Sequence, residues 1–144
     1  MKSFLQPLLI FGVAVGVVVA VRAMTSAPAV DAPSFFQHTT LDAGLEQAEL
    51  EGKPVFAFAT ADWCGPCQRF KGSTLSEPAV AEFLGNETVP VYIDVTERGN
   101  TDAAMLGVRS IPAAFIIEPG GNMYPMPGQP SGDGLISWVK TVTN

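Results

Sequence analysis

The spacing of apolar residues divides this chain into three materials. Leu8 to Val21 is an unbroken run of 14 apolar residues, with Lys2 ahead of it and Arg22 just behind. Counted from Phe4, tolerating Gln6 and Pro7, the stretch reaches 18 residues, enough at ~1.5 Å per residue to cross most of a ~30 Å hydrocarbon layer. We read residues 1–23 as an N-terminal membrane anchor whose membrane contact is residues 4–21. A cleaved secretory signal ending near Ala27-Pro28-Ala29 is the alternative. The positive charge ahead of the run favours a cytoplasmic N-terminus and a domain on the extracytoplasmic side, and cleavage would release the same domain there. Residues 24–34, MTSAPAVDAPS, are small and Pro-containing, the composition of a flexible linker. The folded domain is expected over 35–144.

Within that domain the patterns alternate. Leu41, Leu45 and Ala48 recur at helical spacing between a Thr40 N-cap and a Gly52 stop, predicting a helix over 41–51. Val55 to Thr60, VFAFAT, reads as a strand buried on both faces. A helix should follow to about Ser73, and another should start at Ser76-Glu77-Pro78, with the serine as cap and the proline in the first turn. Val89 to Val95 is the next strand and Thr101 to Leu106 a short helix. Ala113 to Glu118 and Asn122 to Met126 form two strands around Pro119-Gly120-Gly121, and a helix over Gly134 to Val142 closes the chain. The implied fold class is α/β, with a mixed sheet of about four strands and helices on both faces.

Composition then narrows the function. Asp and Glu number 14 against 8 Lys and Arg, a net charge of −6, which gives no electrostatic footprint for nucleic acid. There are two cysteines and one histidine, His38, which is read as a surface or capping residue. A lone C-x-x-C can be half of a zinc site or a soft copper-binding pair, with Met105, Met123 and Met126 as conceivable ligands. Neither reading finds the further ligands it needs, so no metal and no cofactor are expected.

The cysteines lie in Trp63-Cys64-Gly65-Pro66-Cys67, between a predicted strand and a predicted helix. Two intervening residues let both sulfurs meet at a helix N-terminus, where unpaired N–H groups and the macrodipole favour a thiolate. Cys64 is then the nucleophile, and Cys67, one turn further in, the resolving thiol of a redox-active disulfide. Pro66 stands where its missing N–H costs the helix nothing. Asp62 is read as the helix cap ahead of a charge-tuning role.

With these residues in place, the chain resembles the thioredoxin family, and more narrowly the C-terminal periplasmic domain of DsbD-type membrane thiol:disulfide interchange proteins. The likeness runs from Leu41 to Val142. It is carried by ADWCGPC at 61–67, STLSEPAVAEFL at 73–84, GVRSIPA at 107–113, and Gly128 with Leu135 seven residues on. The resemblance implies a cis Pro112 facing the cysteines, with Ile111 before it, and a substrate-binding surface of Trp63, Gly65, Pro66, Ile111 and Pro112. It also exposes two departures. Phe58 occupies the place of the family's buried aspartate, and the accompanying lysine falls on or near Pro90, so no carboxylate is expected beside Cys67. The segment around Thr96 to Asn100 is longer than in thioredoxin, as in the DsbD-type domain.

The implied activity is exchange with protein disulfides or thiols, with a lean towards reduction. An exported reductase with one apolar span needs a separate membrane electron donor as partner. The competing reading is a thioredoxin-fold binding or chaperone module without redox turnover.

Overall fold

A computed structural model describes residues 29–96 and 99–144. The segment read as an anchor lies outside these residues, and among the described residues no helix is long and apolar enough to cross a membrane.

Nearly every predicted element forms. Helix α1 (Leu41–Glu51) ends at Gly52, whose φ of 66° is the left-handed stop that a glycine supplies without strain. Strand β1 (Val55–Thr60) is buried along its whole length. Helix α2 (Gly65–Gly72) leaves the cysteine motif, a 3₁₀ turn (Thr74–Ser76) follows, and α3 (Pro78–Glu87) returns to β2 (Val89–Asp94). A short α4 (Gly99–Met105), the hairpin of β3 (Ala113–Ile117) and β4 (Met123–Pro125), and α5 (Gly132–Val142) complete the domain. The four strands lie in the order β2-β1-β3-β4. β1 runs parallel to β2 and antiparallel to β3, so the sheet is mixed as the element pattern implied.

The alternation along β1 divides the core in two. Val55, Ala57 and Ala59 face Leu41 and Ala48 of α1, Ala103 of α4 and Leu106 just after it. Phe56 and Phe58 face Phe70, Val80, Leu84, Leu135 and Val139 of α2, α3 and α5. The small residues of the first set let α1 approach closely: a Cβ on Gly44 would fall inside the side chain of Val91.

One cap prediction holds in position without its side-chain bond, and one is corrected. Thr40 stands at the N-cap of α1 but makes no side-chain bond; the Leu41 N–H instead donates to Asp102 Oδ2 at 2.8 Å, from α4. Glu77, not Ser76, is the N-cap residue of α3, and the Ser76 hydroxyl donates back to the Lys71 carbonyl at 2.6 Å. Both side-chain bonds are set by neighbours that local spacing does not reveal. Order also begins earlier than Phe35. Val30, within the stretch read as linker, donates its N–H to Gln68 Oε1 (2.6 Å) and accepts from Lys71 Nζ (2.6 Å). His38 lies in backbone register with the outer edge of β2, where its carbonyl accepts from Tyr92 N–H at 2.8 Å.

Candidate active site

The motif sits where β1 ends and α2 begins, at the C-terminal edge of the sheet. Cys64 is itself the N-cap residue of α2, its Sγ accepting from the Cys67 N–H at 3.2 Å. A cap acceptor that becomes a thiolate on reduction already faces a donor and the positive end of the helix. Cys64 and Cys67 are joined as a disulfide. Their exposure is graded: Cys64 keeps 6% of its surface and Cys67 none. An incoming sulfur therefore has a path only to Cys64. Gly65 and Pro66 form the exposed first turn beside it.

The second side of the site comes from the loop before β3. The Ile111–Pro112 peptide bond is cis, as the resemblance implied. Cys64 Sγ lies 3.8 Å from the Ile111 carbonyl oxygen, and Ile111 and Val95 pack against the two cysteines. Between this loop and the motif opens a cleft of about 410 Å³, lined by Trp63, Val95, Ala103, Val108, Arg109 and Ile111 among others. Trp63 is 71% exposed on the wall of this cleft. The structure thus brings Cys64, Cys67, Trp63, Ile111 and Pro112 to one edge of the sheet.

Asp62 does not cap α2. Cys64 occupies that position, and the Asp62 carboxylate, 66% exposed, points instead to Lys71 Nζ at 3.8 Å. Lys71 has no exposed surface and also donates to Tyr92 Oη at 2.9 Å. Sequence reasoning passed over this residue. The available signal was spacing, since Cys64, Cys67 and Lys71 follow the i, i+3, i+7 pattern of one helix face. Arg109 in the cleft wall lies within the GVRSIPA segment but was given no role of its own. Phe58, in the place of the family's aspartate, is fully buried, with ring centroids 5.9 Å from Phe70 and 6.3 Å from Tyr92. Thr60, on the same sheet face, has a buried hydroxyl with no hydrogen-bond partner among the described residues.

A thioredoxin-like family profile matches residues 37–119, more than half of the chain. The chain belongs to the thioredoxin-like family. Among characterised relatives it is similar to the thiol:disulfide interchange protein DsbD of Citrobacter koseri, 37% identical over 92 residues, covering 60% of this chain and 16% of that protein. DsbD of Escherichia coli K12 is 35% identical over 97 residues, 64% of this chain and 17% of its own. The chain thus spans about a sixth of the length of these relatives. Among solved structures, the oxidised C-terminal domain of Neisseria meningitidis DsbD superposes with a TM-score of 0.62 at 26% identity, covering 73% of this chain and 98% of that one. A thioredoxin from Thermus thermophilus superposes at 0.63 with 18% identity, covering 75% and 87%, a likeness of fold alone. The DsbD likeness agrees with the narrower resemblance drawn from the motifs.

Proposed function

We propose that this chain is a thiol:disulfide oxidoreductase acting on protein disulfides, with Cys64 as entering nucleophile and Cys67 as resolving thiol. The observation that supports it is the unequal placement of the two sulfurs: Cys64 at the helix end, accepting from the Cys67 N–H, and Cys67 with no exposed surface. In the reductive direction the Cys64 thiolate attacks one sulfur of a substrate disulfide. A mixed disulfide forms and one substrate thiolate leaves, taking up a proton from solvent. Cys67, having lost its proton, then attacks Cys64 Sγ, releasing the second substrate thiolate and closing the Cys64–Cys67 disulfide. Two electrons have passed to the substrate, and a dithiol donor must return them. Trp63, Gly65, Pro66, Ile111 and Pro112 surround Cys64 and would receive the extended substrate segment.

The apolar run at residues 4–21 supports tethering to a membrane with the domain on the extracytoplasmic side. A membrane-borne dithiol donor would supply the electrons. A reporter fused after Asn144 should behave as exported; a cytoplasmic signal would overturn that placement.

The activity is tested by cysteine substitution. Cys64→Ser should abolish exchange, whereas Cys67→Ser should attack once and accumulate a mixed disulfide detectable by mass spectrometry. Trapping through Cys67 would reverse the roles, and failure of the unaltered domain to reduce insulin would leave the binding-module reading.

A further inference from the structure

Among the described residues Lys71 is the only charged side chain without appreciable exposure, at 0%. Burying an ammonium in a core is costly unless its charge is answered, and a natural core rarely keeps one without use. Here the answer is incomplete. Two of its contacts are neutral, the Val30 carbonyl at 2.6 Å and Tyr92 Oη at 2.9 Å. Among the described residues the only carboxylate in ion-pair reach is Asp62, 3.8 Å away and 66% exposed, where water weakens the attraction.

The helix places this charge with the sulfurs. Lys71 follows Cys67 by four residues on α2, and such positions stand ~5–6 Å apart at Cβ on one face. In the disulfide both sulfurs are neutral. Reduction creates an anion at Cys64, so the buried cation gains a counter-charge only in the reduced form. Among the described residues the other charged and titratable groups on this side are Asp62 on the motif loop, Tyr92 and Asp94 on β2, Arg69 on α2 itself, and Arg109 in the cleft wall, exposed and so screened by water. Arg69 reaches back towards Gly65 but is exposed, so its field is screened where that of Lys71 is not.

We propose that Lys71 is a positioning residue of the redox pair: its buried positive charge stabilises the Cys64 thiolate and biases the Cys64–Cys67 couple towards the dithiol. This rests on the oxidoreductase reading above. The step it biases is balanced by glutathione. Two glutathione thiols give two electrons and two protons to the disulfide, forming the Cys64 and Cys67 thiols and one glutathione disulfide, after which Cys64 releases its proton to solvent. At the effective dielectric of a protein site, a full charge on the order of 10 Å away shifts an ionisation by about tenfold.

The experiment compares the full chain with Lys71→Met, Tyr92→Phe and Asp62→Asn by two measurements: thiolate absorbance against pH, and equilibrium with glutathione. Lys71→Met should raise the Cys64 titration by about one unit and, at a pH above both titrations, shift the equilibrium about tenfold towards the disulfide, ~30 mV more reducing. Tyr92→Phe removes a hydrogen bond but no charge and should leave both near the parent. Asp62→Asn, a surface change that keeps the fold, removes the opposing charge and should move both the other way. The proposal is overturned if Lys71→Met titrates like the parent, if Tyr92→Phe moves as far as Lys71→Met, or, should Lys71→Met not fold, if Asp62→Asn changes neither measurement. A parent that never equilibrates with glutathione would instead remove the oxidoreductase reading itself.

Discussion

Phe58 stands among three other aromatic rings, with centroids 6.1 Å from Phe36, 5.9 Å from Phe70 and 6.3 Å from Tyr92. An aromatic side chain is the apolar way to fill the space between β1 and α2, and its removal leaves a cavity that α2 cannot close without moving the motif. Phe58→Ala should therefore cost about 3–5 kcal/mol, read from the urea midpoint. Gly44 is the opposite case, since any Cβ there meets Val91. Gly44→Ala should gain helix propensity yet lose stability, by about 1–3 kcal/mol, because overpacking of α1 on β2 outweighs it. A stabilised Gly44→Ala would show that α1 can shift outwards at little cost.

At the scale of elements, helix ends are held by side chains from elsewhere at α1 and by local ones at α2 and α5. The Leu41 N–H at the start of α1 is satisfied by Asp102 of α4, 61 positions away. Asp102→Ala should cost about 1 kcal/mol, the usual worth of a cap, and speed amide exchange in the first turn of α1 while leaving α5 unchanged. α5 has its own local cap, with Ser131 Oγ accepting from the Gly134 N–H. In the β3–β4 hairpin, the Tyr124 hydroxyl donates to Glu118 Oε2 at 3.2 Å, which raises its pKa above the ordinary 10.0. A tyrosine raised in the folded state contributes stability that is complete below its unfolded value and is lost as pH rises through the folded one. The expected window is therefore alkaline, above pH 10. Ultraviolet titration against a Tyr124→Phe control should place Tyr124 above 10, and Glu118→Gln should bring it back down.

On the scale of the whole molecule, residues 29–36 belong to the packed domain. Phe35 and Phe36 join the α2–α3–α5 face of the core, and Val30 bonds to both Gln68 and Lys71 on α2. Removing residues 1–34 should therefore destabilise the domain relative to removing only 1–28. The difference should be about 1–3 kcal/mol, because Lys71 loses a buried acceptor. Equal urea midpoints would mean that water replaces the Val30 carbonyl without loss.

Much of this protein is decided locally. The buried run Val55 to Thr60, the breaker Gly52, the first-turn prolines Pro66 and Pro78, and the C-x-x-C spacing each specify their element through steric and hydrogen-bonding preferences of a few residues, and those elements formed within a residue or two of expectation. The redox motif was legible for the same reason, since strand, cysteines and helix are contiguous. The caps of α1 and α3, the turning of Asp62 towards Lys71, the docking of Val30, and the cleft between Trp63 and the 108–111 loop were not. Some join residues far apart in the chain, as Leu41 and Asp102 do, and others join near ones, as Asp62 and Lys71 do, and no spacing rule states which group will arrive at an unsatisfied N–H or beside a buried ammonium. That choice is made only when the sheet order β2-β1-β3-β4 brings the loop before β3 and the start of α2 to the same edge.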